Sequence, residues 1–227
     1  MAVDDSYTKT LFHMDGADAS TTFTDESGKV WTTNGNAQID TAQSVFGGAS
    51  GLFDGTGDYL SLAENTDFDF GTGDFTIDLR VRRNGNNTNY NGLVSTHHYV
   101  EPDSNGWGAG FDNGNKVRFT NNGDTKVTST TTLTDLTWYH VAYVRYGNTL
   151  SLYVNGTSED TDDVTGVSFN SYDGITIGRW GANQNNYYLV GWLDEVRVSK
   201  GVARWTTNFT PPTRAYYPGG GLMLFSS

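Results

Sequence analysis

The segment from Phe75 to Arg83 constrains the fold most strongly, because apolar and polar side chains alternate along it until its last residue. A period of two places neighbouring side chains on opposite faces of a β-strand. The segment therefore predicts a strand with one buried face and one face in water. Such a strand needs a sheet around it and a second layer over its apolar face.

A long hairpin and several shorter strands are predicted elsewhere in the chain. Tyr139–Tyr146 and Thr149–Val154 flank Gly147-Asn148, a two-residue loop suited to a turn with positive φ. Shorter strands are predicted at Thr10–Met14, Leu52–Phe53, Tyr59–Ala63, Gly92–Thr96, Lys116–Thr120, Lys126–Thr130, Gly174–Gly178 and Gly191–Ser199. No helix is predicted.

Many short strands between Gly, Asn and Asp turns indicate an all-β fold with two packed antiparallel sheets, for which a jelly-roll sandwich is the favoured form. The 227 residues fit one large all-β domain. No linker divides the chain before Pro211-Pro212, so residues 1–213 are predicted to form the domain. Residues 214–227 form a candidate C-terminal tail, which ends in Gly219-Gly220-Gly221 and an apolar run and docks either on a neighbouring subunit or on the same domain.

Charge and composition exclude several partners. The chain has 14 Lys and Arg against 26 Asp and Glu, a net charge of −12, which disfavours binding to nucleic acid and to anionic lipid. It has no cysteine, which excludes disulfides and thiolate metal sites. The N-terminus lacks the apolar region of a signal peptide, and no apolar run approaches the roughly 18 residues of a membrane span. We therefore expect no signal peptide and no membrane insertion.

A set of short motifs occurs in a characteristic order. They are LFHMDG at 11–16, DESG at 25–28, FGGA at 46–49, FDG at 53–55, DYL at 58–60, GDFTI at 73–77, WYHVA at 138–142, LYVNG at 152–156, GWLDEVR at 191–197, GVAR at 201–204 and FTPP at 209–212. With these motifs the chain resembles the laminin-G-like jelly rolls of the concanavalin A-like lectin/glucanase superfamily, in the variety frequent in bacteriophage tail and virion proteins. The resemblance implies a virion location, with other virion subunits or further copies of the chain as partners.

The resemblance does not extend to catalysis. Glucanases of the superfamily carry two carboxylates on one strand in an E-x-D-x-E pattern, and this chain has no such pattern. Glu159-Asp160 and Asp162-Asp163 are interpreted as solvated acids in a polar turn segment. Gly106-x-Gly108-x-Gly110 has no following helix and is not a phosphate loop. We therefore predict a protein that is not an enzyme.

Metal binding is considered at two places. His97 and His98 would point to opposite faces of a strand, which argues against zinc. Asp194 is in period-two register with Trp192 and Val196, and a carboxylate that faces inward needs a cation or several hydrogen-bond donors. The resemblance implies a structural calcium ion (Ca²⁺) between the Asp15-Gly16 region, the Gly47-Gly48 region and Asp194. A loop cap or an arginine pair is the alternative.

Two segments combine amides with aromatic rings, the side chains that bind sugar hydroxyls and sugar C–H faces. They are Asn84–Asn91 and Trp180–Tyr188. The predicted ligand-binding residues are Asn89, Tyr90, His98, Tyr99, Trp107, Trp180, Asn183, Tyr187 and Tyr188. The alternative is that the asparagines only form turns and that Trp107 and Trp180 belong to the core.

The functional prediction is a non-enzymatic adhesion module of a phage tail, fibre or capsid surface that binds carbohydrate on a host or environmental surface. The alternative is a structural decoration protein of the particle that binds no glycan. A glycosidase ranks third.

Overall fold

The computed structural model describes residues 5–85, 90–96, 98–100, 103–181 and 187–216, with only the backbone described at 98–100, 103 and 104. The strands in chain order are β1 (Thr8–Phe12), β2 (Thr32–Asn34), β3 (Gln38–Asp40), β4 (Ser50–Asp54), β5 (Tyr59–Leu62), β6 (Phe75–Arg83), β7 (Asn91–Ser95), β8 (His98–Val100), β9 (Asp103–Asn105), β10 (Trp107–Phe111), β11 (Lys116–Asn121), β12 (Asp124–Thr132), β13 (Trp138–Tyr146), β14 (Thr149–Val154), β15 (Thr157–Asp163), β16 (Ile175–Ile177) and β17 (Val190–Lys200). One 3₁₀ turn, Thr66–Phe68, is the helical element in these ranges.

The strands form two large antiparallel sheets. Sheet A has the order β15-β14-β13-β6-β17-β4-β3, with β1 also paired to β17, and sheet B has the order β12-β11-β10-β7-β16-β5-β2. Strands β8 and β9 form a separate hairpin. The two large sheets face each other across one core, which confirms the predicted all-β sandwich.

Aromatic side chains join the two sheets inside this core. Phe119 of β11 lies 5.8 Å from Phe75 of β6 and 5.4 Å from Tyr143 of β13, measured between ring centroids. Trp107 of β10 stacks on Phe119 at 5.9 Å and donates its indole N–H to the carbonyl of Phe68. The rings supply much of the apolar area that holds the sheets together.

The predicted strands with clear period-two patterns match the structure closely. β6 has the predicted bounds, and the hairpin of β13 and β14 turns at Gly147, which takes a φ of 57°. Six strands were not predicted: β2, β3, β8, β9, β10 and β15. β2, β3, β8 and β9 are three residues long, β15 lacks an alternating apolar pattern, and in β10 the apolar residues alternate with glycines, which are uncommon inside strands.

The prediction of a wet face on β6 is wrong at Thr76 and Asp78, which are both fully buried. Residues 201–216, here called the C-terminal strap, cross the face of sheet A that is turned away from the core. Thr76 donates its hydroxyl to the carbonyl of Val202 and accepts from the backbone N–H of Arg204. The strap therefore covers part of the outer face of sheet A and buries these polar side chains.

The strap also carries a small apolar cluster. Trp205 and Phe209 stack with their ring centroids 4.1 Å apart, and both contact the ring of His140 edge-on. Phe209 also packs on Tyr153 of β14. These contacts bury apolar area that a bare sheet face would leave in water.

Beneath the strap, charged side chains form a buried network around Asp78. Arg197 Nε donates to Asp78 Oδ1 at 2.9 Å, and the hydroxyl of Tyr216 also donates to this carboxylate. Burial alone would raise the pKa of Asp78, but Arg197 and His140 hold it well below its ordinary value. Tyr216 lies inside the predicted tail 214–227, so at least this part of the tail packs on the sandwich; residues 217–227 lie outside the described residues.

The acidic segment at Glu159-Asp160 is not the solvated turn that was predicted. It belongs to β15, and Asp160 accepts from the backbone N–H of Thr128 at 2.8 Å. Glu159 accepts from the backbone N–H of Thr131 at 2.9 Å. Because Thr128 and Thr131 lie in β12, these carboxylates bridge the edge of sheet A to the edge of sheet B and satisfy donors that an open edge would expose.

Candidate functional site

The described ends of the two amide-rich segments meet on the face of sheet B that is turned away from the core. Tyr90 and Tyr187 lie edge to face with ring centroids 6.1 Å apart. Both Gly92 and Trp180 donate their backbone N–H to the carbonyl of Tyr187. The residues of this surface, here called the tyrosine–arginine surface, are Tyr59, Tyr90, Arg118, Arg179, Trp180, Tyr187 and Tyr188.

Glycines in β10 make room for the indole of Trp180. Gly108 and Gly110 alternate with core residues, so both face outward, and a Cβ at these positions would lie 3.2 Å and 2.4 Å from the Trp180 ring. Trp180 therefore lies against the sheet and is only 5% exposed. Trp180 therefore forms the floor of the surface. The space that its ring needs explains the glycines at positions 108 and 110, whose spacing is not that of a phosphate loop.

Arg118 crosses above this floor. It pairs across the ladder with Gly110, and its guanidinium carbon lies 4.8 Å from the Trp180 ring and 4.2 Å from the Tyr90 ring. Burial lowers the pKa of Arg118 from its ordinary value. The guanidinium is thus held between two aromatic faces, a geometry that cation–π attraction favours.

A second group lies beside the first. Tyr188 packs on Tyr59 with ring centroids 6.1 Å apart, and Arg179 lies 4.6 Å from the Tyr59 ring and 5.7 Å from the Tyr188 ring. The carbonyl of Tyr188 accepts from the side-chain amide of Asn91, which ties this segment to β7. Because Tyr187 and Tyr188 are adjacent, one short segment supplies a ring to each group.

The other predicted ligand-binding residues have different positions. Trp107 is fully buried in the core, so its predicted contact with a ligand is not supported. His98 and Tyr99 lie in β8, where only the backbone is described, and His97, Asn89 and Asn183 lie outside the described residues. Sequence reasoning missed Tyr59, Arg118 and Arg179. Arg118 alternates with Val117 and Phe119, a pattern that marks it as outward-facing.

The predicted register of Asp194 is correct for Trp192 and wrong for Val196, because β17 contains a bulge after Asp194. Asp194 pairs with Arg80 of β6, on the face away from the core, and the register then shifts before Arg197. Glu195 takes a φ of 51° at this point, after which Val196 faces the core. A residue in the left-handed region re-aims the following side chains, so the period of two does not continue across it.

Asp194 is nevertheless buried, under the loop before β4. Its Oδ2 accepts from the backbone N–H groups of Val45 at 2.7 Å and Phe46 at 3.1 Å, which is the loop cap considered as an alternative to a cation. Its Oδ1 has no hydrogen-bond partner. Burial raises the pKa of Asp194 to about 7, although the hydrogen bonds from the two backbone amides act to lower it. Repulsion by Glu195 and Asp15 raises the pKa further.

Asp15 lies beside this cap. Its carboxylate is so close to Gly47 that a Cβ there would come within 2.0 Å of its oxygens, and burial raises its pKa. Among the described side chains, no three His, Asp or Glu residues are grouped to hold a metal ion. An ion between Asp15 and Asp194 would therefore also need backbone carbonyls and water, ligands that Ca²⁺ accepts.

Comparison with known families agrees with this architecture. A family model of the concanavalin A-like lectin/glucanases superfamily matches residues 54–206, more than half of the chain. The chain therefore belongs to this superfamily, as its laminin-G-like motifs predict. A search of curated protein sequences found no match.

Solved structures share the fold at low sequence identity. The binding domain of paraclostridial mosquitocidal protein 1 superposes with a TM-score of 0.64 and 16% identity over 86% of this chain and 49% of that one. A putative carbohydrate-binding protein from Bacteroides ovatus gives 0.55 and 21% over 69% and 44%. A Trypanosoma rangeli sialidase gives 0.62 and 13% over 96% and 32%. The chain thus spans at most about half of these proteins. In the described part of the chain, no helix is long and apolar enough to cross a membrane.

Proposed function

We propose that the protein is a non-enzymatic glycan-binding module and that the tyrosine–arginine surface is its binding site. The observation that carries this proposal is the meeting of Tyr90 and Tyr187, from two distant amide-rich segments, on one outer face of sheet B. Partly exposed rings cover the C–H faces of sugars, while nearby polar groups bind hydroxyls.

One structural neighbour is the binding domain of a mosquitocidal protein and another is named a putative carbohydrate-binding protein, and both names favour a binding role. A shallow surface of this kind binds with millimolar to micromolar affinity, about −4 to −8 kcal/mol, and gains strength when many copies are displayed.

A glycan array probed with the multimerised protein tests the proposal. We expect binding to a defined group of glycans. If the protein binds none of them, the alternative of a structural decoration protein takes the place of this proposal.

The absence of enzymatic activity is proposed on two grounds. The sequence has no E-x-D-x-E pattern, and Asp194, the carboxyl group whose pKa is about 7, is fully buried and cannot contact a substrate. The match to a sialidase is the counter-observation, although the chain covers only 32% of that enzyme.

Incubation with laminarin, alginate and sialylated oligosaccharides, followed by assay of new reducing ends and free sialic acid, should show no product. Product formation that is lost on mutation of one Asp or Glu would overturn the proposal.

We further propose that Asp15 and Asp194 help to hold a structural calcium ion. The unpartnered Oδ1 of Asp194 and the neighbouring carboxylate of Asp15 are the observations that favour it. A cation there would offset the burial of one carboxylate and its repulsion by the other.

The location on a phage particle remains a proposal that rests on the motif resemblance. Antibodies against the domain should label the surface of intact particles, whereas labelling of disrupted particles alone would contradict it.

A further inference from the structure

Several arginines have a carboxylate partner, whereas Arg118 has none among the described residues. Arg83 pairs with Asp135, Arg197 with Asp78, and Arg204 with Asp5. In the described part of the chain, Arg118 forms no ion pair, and its one hydrogen bond runs from Nη1 to Thr125 Oγ1 at 3.4 Å. A guanidinium has five N–H donors, so most of the donors of Arg118 lack an acceptor among the described residues.

This guanidinium is partly removed from water. The rings of Tyr90 and Trp180 cover it at 4.2 and 4.8 Å, and its Nε is buried without a partner. Asp112 is the carboxylate that acts on it electrostatically, but Asp112 accepts from the backbone N–H groups of Gly114 and Lys116 instead. A half-buried cation without a counter-charge is costly, and an anion supplied by a ligand would offset that cost.

We propose that Arg118 binds the carboxylate or sulfate group of an acidic sugar, so that the glycan recognised on this surface is an acidic polysaccharide. The inference rests on the proposed function and adds the chemical class of the ligand. The planar guanidinium suits a two-point contact with a carboxylate or sulfate. Tyr90 and Tyr187 lie beside it to cover the C–H faces of the sugar ring.

The net negative charge of the chain indicates that an acidic polymer could bind only through a local cationic site. A net charge of −12 repels polyanions at long range, so non-specific attraction cannot account for binding to an acidic polymer. Binding of such a polymer requires a local cation, and Arg118 is a cation on this surface that forms no ion pair with a described carboxylate.

Matched polymers test the inference directly. Biolayer interferometry would compare dextran sulfate with dextran, and polygalacturonate with its methyl ester, because each pair shares one backbone and differs in charge. The two charged members separate a sulfate ligand from a carboxylate ligand. We expect wild type to bind at least one charged member about tenfold more tightly than its neutral partner, and Arg118→Gln to lose about tenfold of that affinity.

Arg82→Gln is the control, because Arg82 also lies over an indole, 4.7 Å from Trp192, but on sheet A. It should bind like wild type. Arg118→Lys keeps the charge without the planar fork and should recover only part of the binding. Melting temperatures identify a variant that does not fold; if Arg118→Gln unfolds, Arg118→Lys and the wild-type charge preference decide.

Equal wild-type binding to charged and neutral polymers, or unchanged binding by folded Arg118→Gln, would overturn the assignment of Arg118. Binding to neutral glycans alone would overturn the inference while leaving the proposed function standing. Failure to bind any glycan on a broad array would remove the proposed function itself.

Discussion

Asp194 carries a buried carboxylate with one oxygen satisfied by two backbone amides and the other without a donor. Asp194→Asn separates the two accounts of this residue, because its amide oxygen keeps the loop cap while its charge is lost. If calcium binds, wild type should melt at a higher temperature with calcium than with chelator, since a ligand of the native state adds stability. Asp194→Asn should show no such difference.

Melting curves recorded by differential scanning fluorimetry with excess chelator and with added calcium check this prediction. Wild-type curves that coincide under the two conditions would leave the loop cap as the complete explanation. A calcium response that persists in Asp194→Asn would place the ion elsewhere.

Gly108 is one of two glycines that make room for Trp180, the floor of the tyrosine–arginine surface. A Cβ at this position would lie 2.9 Å from Ser95 Oγ and 3.2 Å from the Trp180 ring, so the Ser95 hydroxyl and Trp180 would both have to shift. We expect Gly108→Ala to destabilise the fold by about 1 to 3 kcal/mol and to weaken glycan binding. Gly114→Ala, whose Cβ would first meet the Asp112 side chain at 3.3 Å, is the control. Equal stability and equal binding of the two variants would show that Trp180 does not require a glycine at position 108.

Among the elements, the C-terminal strap should respond to acid. Burial lowers the pKa of His140 from its ordinary 6.5, so the imidazole binds a proton more weakly in the native state than in the unfolded chain. This contribution to stability is complete above pH 6.5 and is lost as pH falls below it. Asp78, with its pKa held low, adds a second loss below its ordinary 3.8. The contribution of His140 should therefore decrease from pH 7 to pH 5 and that of Asp78 at stronger acid, whereas Asp194, whose pKa is raised to about 7, acts in the opposite direction over the first interval.

The variant His140→Gln removes the first of these losses. Between pH 7 and pH 5 the melting temperature of wild type should fall relative to that of His140→Gln, even if the variant melts lower at pH 7 because packing on Trp205 and Phe209 is altered. Parallel curves for the two proteins over this interval would rule out His140 as the group responsible.

The elements also show where sequence patterns succeed. β6 could be predicted because apolar and polar side chains alternate along it, and β13 and β14 because a two-residue Gly-Asn loop joins two segments rich in strand-forming residues. β15 could not, because its acids bridge to β12 and its pattern is that of a polar turn. The bulge in β17 was equally hidden, since a positive φ at a glutamate has no sequence signal.

For the whole molecule, the two-sheet sandwich followed from local patterns, whereas the site depended on distant parts of the chain. The amide-rich segments were recognisable from composition, but their contact through Tyr90 and Tyr187 is a product of the tertiary fold. Trp107 and Trp180 illustrate the difference, since similar residues in similar sequence contexts lie on opposite faces of sheet B. The first is inside the core and the second forms the floor of the surface.

The central claim is that this surface binds glycan through its partly exposed tyrosine rings. Its most direct test is the affinity of Tyr187→Ala and of Tyr188→Ala for the tightest-binding glycan on the array, measured by isothermal titration calorimetry. Each substitution should weaken binding by about 1 kcal/mol with little change in melting temperature. The control is Tyr146→Ala, at the end of β13, where the tyrosine is 62% exposed; this variant should bind like wild type. Wild-type affinity in folded Tyr187→Ala and Tyr188→Ala would contradict the account and place the ligand on another part of the molecule.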